Sequence, residues 1–190
     1  MEIKEKVSRA IEITDPVFVA EVWETYVNSF SDADRHCAQD QICYDRAAMT
    51  QALGDPDYQK FMLMVEDRVI GICLLTNNLT KARIAYCNDR FLRIKFPKYV
   101  QAGRLWYVTA ICVLPEAQQK GYGVELLRSV CQFIYDTKSM VAYDYSNNKN
   151  PWLTGLIQKV GASMGWDVQE RPLDKQVYTS LFFGHNGKPN

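Results

Sequence analysis

Apolar positions along the chain recur with two periods, and the switch between them marks out strands and helices. The uncharged run from Leu105 to Val113, LWYVTAICV, is rich in β-branched and aromatic types. It predicts a strand covered on both faces. Beyond it, Leu127, Val130, Cys131 and Ile134 recur at helical spacing and predict an amphipathic helix. The intervening LPEAQQKGYG is polar and turn-forming. Gly121 and Gly123 let the backbone bend tightly there and remove side chains that would screen the first helical amides. Those amides lack intrahelical acceptors, and together with the helix dipole they favour an anion such as phosphate.

The same reading extends over the rest of the chain. Ser8 to Ile13 predicts a first strand, and Thr14-Asp15-Pro16 supplies a helix cap with proline at the first helical position. Val19, Val22, Trp23, Tyr26, Val27 and Phe30 form the buried stripe of the helix that follows. A second helix is expected near Asp45 to Leu53, ended by Gly54-Asp55-Pro56. Phe61 to Val65 and Val69 to Leu75 read as a hairpin around Glu66-Asp67-Arg68. Ala82 to Tyr86 predicts a short strand and Asn88 to Phe96 a short helix stopped by Pro97. After the central strand and helix come a strand from Met140 to Tyr145, a helix opened by Asn150-Pro151 with Leu153, Leu156, Ile157 and Val160 on one face, and closing strands at Trp166 to Gln169 and Gln176 to Phe183. The expected order is β-α-α-β-β-β-α-β-α-β-β.

Composition narrows the class. A chain of 190 residues that is 47% hydrophobic suits one folded domain over 1-190. Twenty-two basic residues offset twenty-two acidic ones, so no global field points to nucleic acid or membrane. Charge is nevertheless segregated: Asp15 to Asp57 carries nine acidic residues against Arg35 and Arg46, whereas 77–104 carries seven basic residues against Asp89. No uncharged run approaches membrane-spanning length, and the charged start Met1-Glu-Ile-Lys-Glu-Lys lacks an apolar signal region, so a cytoplasmic location is expected. The six cysteines form no CxxC pair and several sit in apolar runs, as reduced core residues do. His36, Cys37 and Cys43 match no common zinc framework, and no metal is expected.

Gln118, Gly121 and Gly123 form Gln-x-x-Gly-x-Gly, preceded by Val113-x-Pro115. Neither the Walker pattern nor a three-glycine dinucleotide fingerprint is present. The motif resembles the acyl-CoA signature of the GNAT acetyltransferase superfamily, and the element order is similar to the GNAT fold over most of the chain. The resemblance implies an α/β domain with a mixed, centrally splayed sheet of about seven strands flanked by helices. The basic segment 77–104 departs from the family's usual short connection.

The resemblance also implies acetyl-CoA as cofactor. Main-chain groups near Ile111, Cys112 and Val113 would pair with the pantetheine arm, and the segment Gln118, Gln119, Lys120, Gly121, Tyr122, Gly123 would hold the pyrophosphate, with Asn150 at the start of the following helix. Lys120 would add a point charge. Acetyl transfer to an amine requires a proton acceptor and stabilisation of the leaving thiolate. Many relatives use a Glu on the fourth strand and a Tyr on a later helix. Here the Glu position is Tyr107, and the last helix aligns in two registers, one ending at Gly161 and one at Gly165-Trp166, both without the tyrosine. Tyr107 and Tyr145 are the candidate catalytic hydroxyls, with Tyr143 and Tyr122 nearby, and a covalent route through Cys112 or Cys131 is the other option. The implied activity is direct N-acetyl transfer to a small-molecule or peptide amine in a ternary complex; the alternative is a silent acyl-CoA-binding or interaction module. A homodimer is one arrangement open to such a domain.

Overall fold

The computed structural model describes residues 5–31, 44–82, 88–118, 120–147 and 150–175. Five strands form one sheet in sequential order: β1 (Glu5–Ala10), β2 (Tyr58–Val65), β3 (Arg68–Thr76), β4 (Leu105–Val113) and β5 (Met140–Ala142). The first four run antiparallel to their neighbours, and β5 joins β4 in parallel. Among the described residues six α-helices accompany them: α1 (Pro16–Ser29), α2 (Arg46–Gly54), α3 (Asp89–Lys95), α4 (Pro97–Gln101), α5 (Tyr122–Asp136) and α6 (Leu153–Ser163).

Strand alternation sorts the core into two faces. Met62, Ile72 and Leu74 join Val22 and Tyr26 of α1 and Met49 and Leu53 of α2. Phe61, Leu63, Cys73, Leu75 and Trp106 point the other way, onto Leu126, Val130 and Phe133 of α5. Phe133 meets the rings of Trp106 at 5.1 Å and Phe61 at 5.8 Å. A third cluster gathers Leu105, Tyr107 and Ala142 with Leu92 of α3, so the inserted helices lie against the end of β4 where β5 joins it.

Local chemistry fixes the boundaries. Asp15 caps α1 by accepting from the amides of Val17 (2.9 Å) and Phe18 (3.1 Å), with Pro16 at the first position. Asp45 caps α2 through Ala48 N–H at 2.7 Å. Glu66 (φ 50°) and Asp67 (φ 65°) both lie in the left-handed region, the geometry a two-residue hairpin turn needs to match strand twist.

Several expectations are corrected. Five strands are present among the described residues, and the expected total of about seven includes segments outside them. The basic segment holds α3 and α4, α3 stopping where Pro97 begins α4. Of the expected strand 82–86 only Ala82 is described, and the closing strand 176–183 lies outside the described residues. Trp166 to Gln169 is not a strand: Gly165 turns the chain at φ 78°, and Trp166 stacks on Tyr135 at 4.2 Å. Of the two registers weighed for the last helix, the one ending at Gly165 is observed. Gly161 lies inside α6, where a Cβ would sit 2.2 Å from Val168 Cγ2. The first strand occupies 5–10 rather than 8–13. Lys60, fully buried, donates its ammonium to the carbonyls of Ile11, Asp55 and Tyr58, so the Ile11 carbonyl, just past the last ladder pair Ala10↔Lys60, bonds a side chain.

Candidate active site

The site begins with a mismatch of strand lengths. β4 runs from Leu105 to Val113, but β5 pairs with it only at Leu105↔Met140, Trp106↔Val141 and Tyr107↔Ala142. Beyond Tyr107, β4 has a neighbour on one side alone among the described residues. The ladder with β3 slips at the same place: Ala110 opposes Leu74 and Val108 opposes Leu75, leaving Thr109 as an extra residue whose hydroxyl bonds the Leu74 carbonyl at 3.3 Å. A bulge bends its strand and re-aims the residues around it.

Antiparallel pairing decides which groups face the gap. Leu114 N–H donates to the Ile70 carbonyl at 2.8 Å, so by alternation Cys112 also spends its main-chain groups on β3, opposite Ile72. The main-chain groups of Ile111 and Val113 therefore face away from β3, into the open side. The Gln118 amide Nε2–H reaches back to the Val113 carbonyl at 3.0 Å and ties the turn to the strand end. Ile111 and Val113 thus keep three of their four polar main-chain groups directed at the gap.

At the end of β4 a single 3₁₀ turn, Pro115–Ala117, leads into the start of α5. Gly121 occupies the cap position at φ 84°, and no side chain caps the helix. Among the described residues no acceptor takes the amides of Lys120, Gly121, Tyr122 or Gly123, while Val124 N–H bonds the Gly121 carbonyl at 2.9 Å. A Cβ on Gly121 would meet nothing within 4 Å, and one on Gly123 would come no closer than 3.8 Å to Val113 Cγ2. The space above these amides is open. A diphosphate fits this donor set in charge and size, and Lys120 is exposed beside it. Tyr122 is half-buried against the α5 face, Asn150 lies at the approach to α6, its amide bonded to the Ser146 carbonyl at 2.8 Å, and Gln119 falls outside the described residues.

Beyond β5 the chain continues as Tyr143-Asp144-Tyr145. Tyr107, 3% exposed, donates its hydroxyl to Asp144 Oδ1 at the point where the strands part. Asp144 lies two residues past Ala142, the partner of Tyr107 in the parallel register. It was not among the candidates from sequence; the signal lies in that register, which sequence alone does not provide. Tyr143 shares a hydrogen bond with Thr154 at 3.1 Å, which in turn reaches Glu170 at 3.1 Å, and burial pushes the Tyr143 phenol up from its ordinary value. Tyr145 lies beside Tyr143, ring centroids 6.0 Å apart, and its hydroxyl has no hydrogen-bond partner among the described residues.

The thiols considered for a covalent route are unsuited to it. Burial pushes Cys112 up to about 12 and raises Cys131 as well, so both are held as thiols at neutral pH. No cluster of metal-ligating side chains occurs among the described residues, and His36, Cys37 and Cys43 lie outside them. No helix among the described residues is long and apolar enough to cross a membrane.

The parted pair of parallel strands, the bulge near the parting and the uncapped, glycine-turned helix all lie along the single strand β4 and its continuation. The chain belongs to the GNAT acetyltransferase family, whose sequence pattern matches residues 19–151. Among solved structures it is similar to an aminoglycoside acetyltransferase from an uncultured soil metagenomic sample, bound to trehalose, at 13% identity over 93% of this chain and 97% of that one, TM-score 0.55. It is similar to the aminoglycoside N-acetyltransferase AAC(6')-Iy in complex with CoA, at 14% identity over 94% and 98% of the two chains, TM-score 0.53. It is also similar to the ribosomal-protein-S18-alanine N-acetyltransferase from Escherichia coli, at 12% identity over 83% and 77%, TM-score 0.52. At such identities the likeness is one of fold. Comparison with curated protein sequences gives no match.

Proposed function

We propose that this protein is an acetyl-CoA-dependent N-acetyltransferase that passes the acetyl group directly to a primary amine within a ternary complex. The observation that carries the reading is the continuity of two sets of unsatisfied main-chain groups: the free side of β4 at Ile111 and Val113, and the open amides from Lys120 to Gly123 that follow it. An amide-rich arm ending in a diphosphate matches that sequence of donors and acceptors. Each hydrogen bond to a charged oxygen contributes about 1.5–3 kcal/mol, so a few of them support micromolar affinity. Bound acetyl-CoA supplies an activated thioester; this chain's part is to orient it, admit the amine and manage protons.

Ile111 and Val113 hold the arm, the turn from Gln118 to Gly123 holds the diphosphate, and Lys120 adds charge. Tyr145 takes the role of proton donor to the departing sulfur; its half-burial and its hydroxyl uncommitted among the described residues support that role. The acceptors named for the solved relatives, aminoglycosides and a ribosomal-protein alanine, are both amines, and this chain takes an amine of that general kind. The test is titration calorimetry with acetyl-CoA, followed by thiol release over a panel of small amines and peptides. Micromolar binding with turnover is expected. Absent binding overturns the proposal, and binding without turnover replaces the enzyme by a silent acyl-CoA-binding module.

A further inference from the structure

We infer that Asp144 is the general base for the acceptor amine, with Tyr107 as the residue that positions it. The inference rests on the acetyltransferase reading above and assigns a residue to a role that reading leaves unfilled.

β4 and β5 separate immediately after the pair Tyr107↔Ala142, so that pair is the vertex of the gap. Asp144, an exposed carboxylate, lies at this fork just past the end of β5. Oδ1 of that carboxylate is fixed by the Tyr107 hydroxyl. Oδ2 has no hydrogen bond and Asp144 no ion pair among the described residues. One oxygen is held and the other keeps its capacity to accept a proton. The phenol is buried among Leu105, Ala142 and Leu92, and this packing fixes the ring and hence the carboxylate it holds.

The chemistry needs such a group at this place. A primary amine of pKa near 10 is overwhelmingly protonated at neutral pH and has no lone pair to offer. Its surplus proton passes to Asp144 Oδ2. Nitrogen then forms the C–N bond to the acyl carbon, the C–S bond breaks with its electron pair on sulfur, the thiolate takes the proton of Tyr145, and the second proton that nitrogen sheds in becoming an amide returns through solvent to Tyr145. Asp144 releases its own proton to solvent, which its exposure permits. Tyr107 cannot be that base, because its hydroxyl proton is already committed to the carboxylate.

The test compares wild type with Asp144→Asn, Asp144→Glu and Tyr107→Phe on two acceptors, one amine of pKa about 10 and one weakly basic amine that is neutral at pH 7. General-base removal costs about 10²–10⁴-fold. Asp144→Asn is expected to lose at least about a hundredfold in kcat on the strongly basic amine and about tenfold or less on the weakly basic one. Its calorimetric affinity for acetyl-CoA stays that of wild type. Asp144→Glu recovers part of kcat, whereas Tyr107→Phe loses about tenfold and adds nothing further in combination with Asp144→Asn, as expected for two residues acting as a unit. Equal losses on both amines, or kcat within about threefold of an active wild type, overturns the assignment alone. Wild type that binds acetyl-CoA and turns over neither amine overturns it together with the enzyme reading.

Discussion

Gly121→Asp is the sharpest test of where the diphosphate sits. The substituted Cβ would project from the cap of α5 into space with no heavy atom within 4 Å, so steric conflict inside the protein is absent. The backbone cost is that of a non-glycine residue at φ 84°, about 1–2 kcal/mol and at the low end for Asp. The fold should therefore survive with a modestly lower midpoint. The new carboxylate would stand about 5 Å from a diphosphate held by the amides of Gly121 to Gly123. One like-charge pair at that distance repels by about 0.8 kcal/mol in bulk water and about 3 kcal/mol at an effective dielectric constant of 20. Two phosphate charges double this, giving about 2–6 kcal/mol, or roughly 30-fold to 10⁴-fold weaker binding. Calorimetry with acetyl-CoA at low and high salt reads the loss, which should shrink as screening increases. Gly121→Asn carries the same shape without the charge and should lose far less. A Gly121→Asp protein that melts cooperatively and binds within threefold of wild type would refute the placement.

Other expectations follow from individual contacts. Lys60→Met leaves the carbonyls of Ile11, Asp55 and Tyr58 without this donor and should cost about 1–3 kcal/mol in urea unfolding. Burial lowers the Lys60 ammonium to about 8, against about 10.4 in the unfolded chain. Between those values the unfolded chain holds the proton that the folded one gives up, so wild type should gain stability relative to Lys60→Met as pH rises from 8 toward 10; a difference flat from pH 7 to 9.5 would contradict this. Gly161→Ala forces a methyl to within 2.2 Å of Val168 and should lower stability by about 1–3 kcal/mol without changing acetyl-CoA affinity. Cys112→Ser should keep acetyl transfer within a fewfold, since the thiol is buried and protonated; abolished turnover in a folded, acetyl-CoA-binding variant would restore the covalent route.

What could be read from sequence was what local chemistry dictates. The run 105–113, the glycine-turned start of α5, the Asp15-Pro16 cap and the hairpin about Glu66-Asp67 each carry their signal within a few residues, and each is present. What escaped depends on partners distant in sequence. The first strand reads as 8–13 because Ile11 and Ile13 continue the apolar pattern, yet Lys60, nearly fifty residues away, captures the Ile11 carbonyl. The strand at Met140 reads as continuing to Tyr145, but a strand lasts only while it has a neighbour, and β4 turns away at its bulge. The site divides the same way. The glycine turn before α5 is local; the Tyr107 hydroxyl on Asp144 spans 37 positions and needs the parallel register. Gly161 matched a family pattern as a helix stop, whereas its reason is the approach of Val168.

The parting of β4 from β5 bears on more than where an acyl donor lies. Half of a central strand left without one neighbour is an edge inside the molecule, carrying the same unspent hydrogen-bonding capacity that draws foreign strands to the rim of a sheet. An extended, amide-bearing ligand laid along it acts as the missing strand, in the manner of β-augmentation. Binding then restores sheet continuity, and ligand and fold become thermodynamically linked. At a free concentration one hundred times its dissociation constant such a ligand adds about 2.7 kcal/mol to the free energy of unfolding. On the acetyltransferase reading, the acyl donor would thus also be a guest element of secondary structure, completing the sheet for as long as it stays bound.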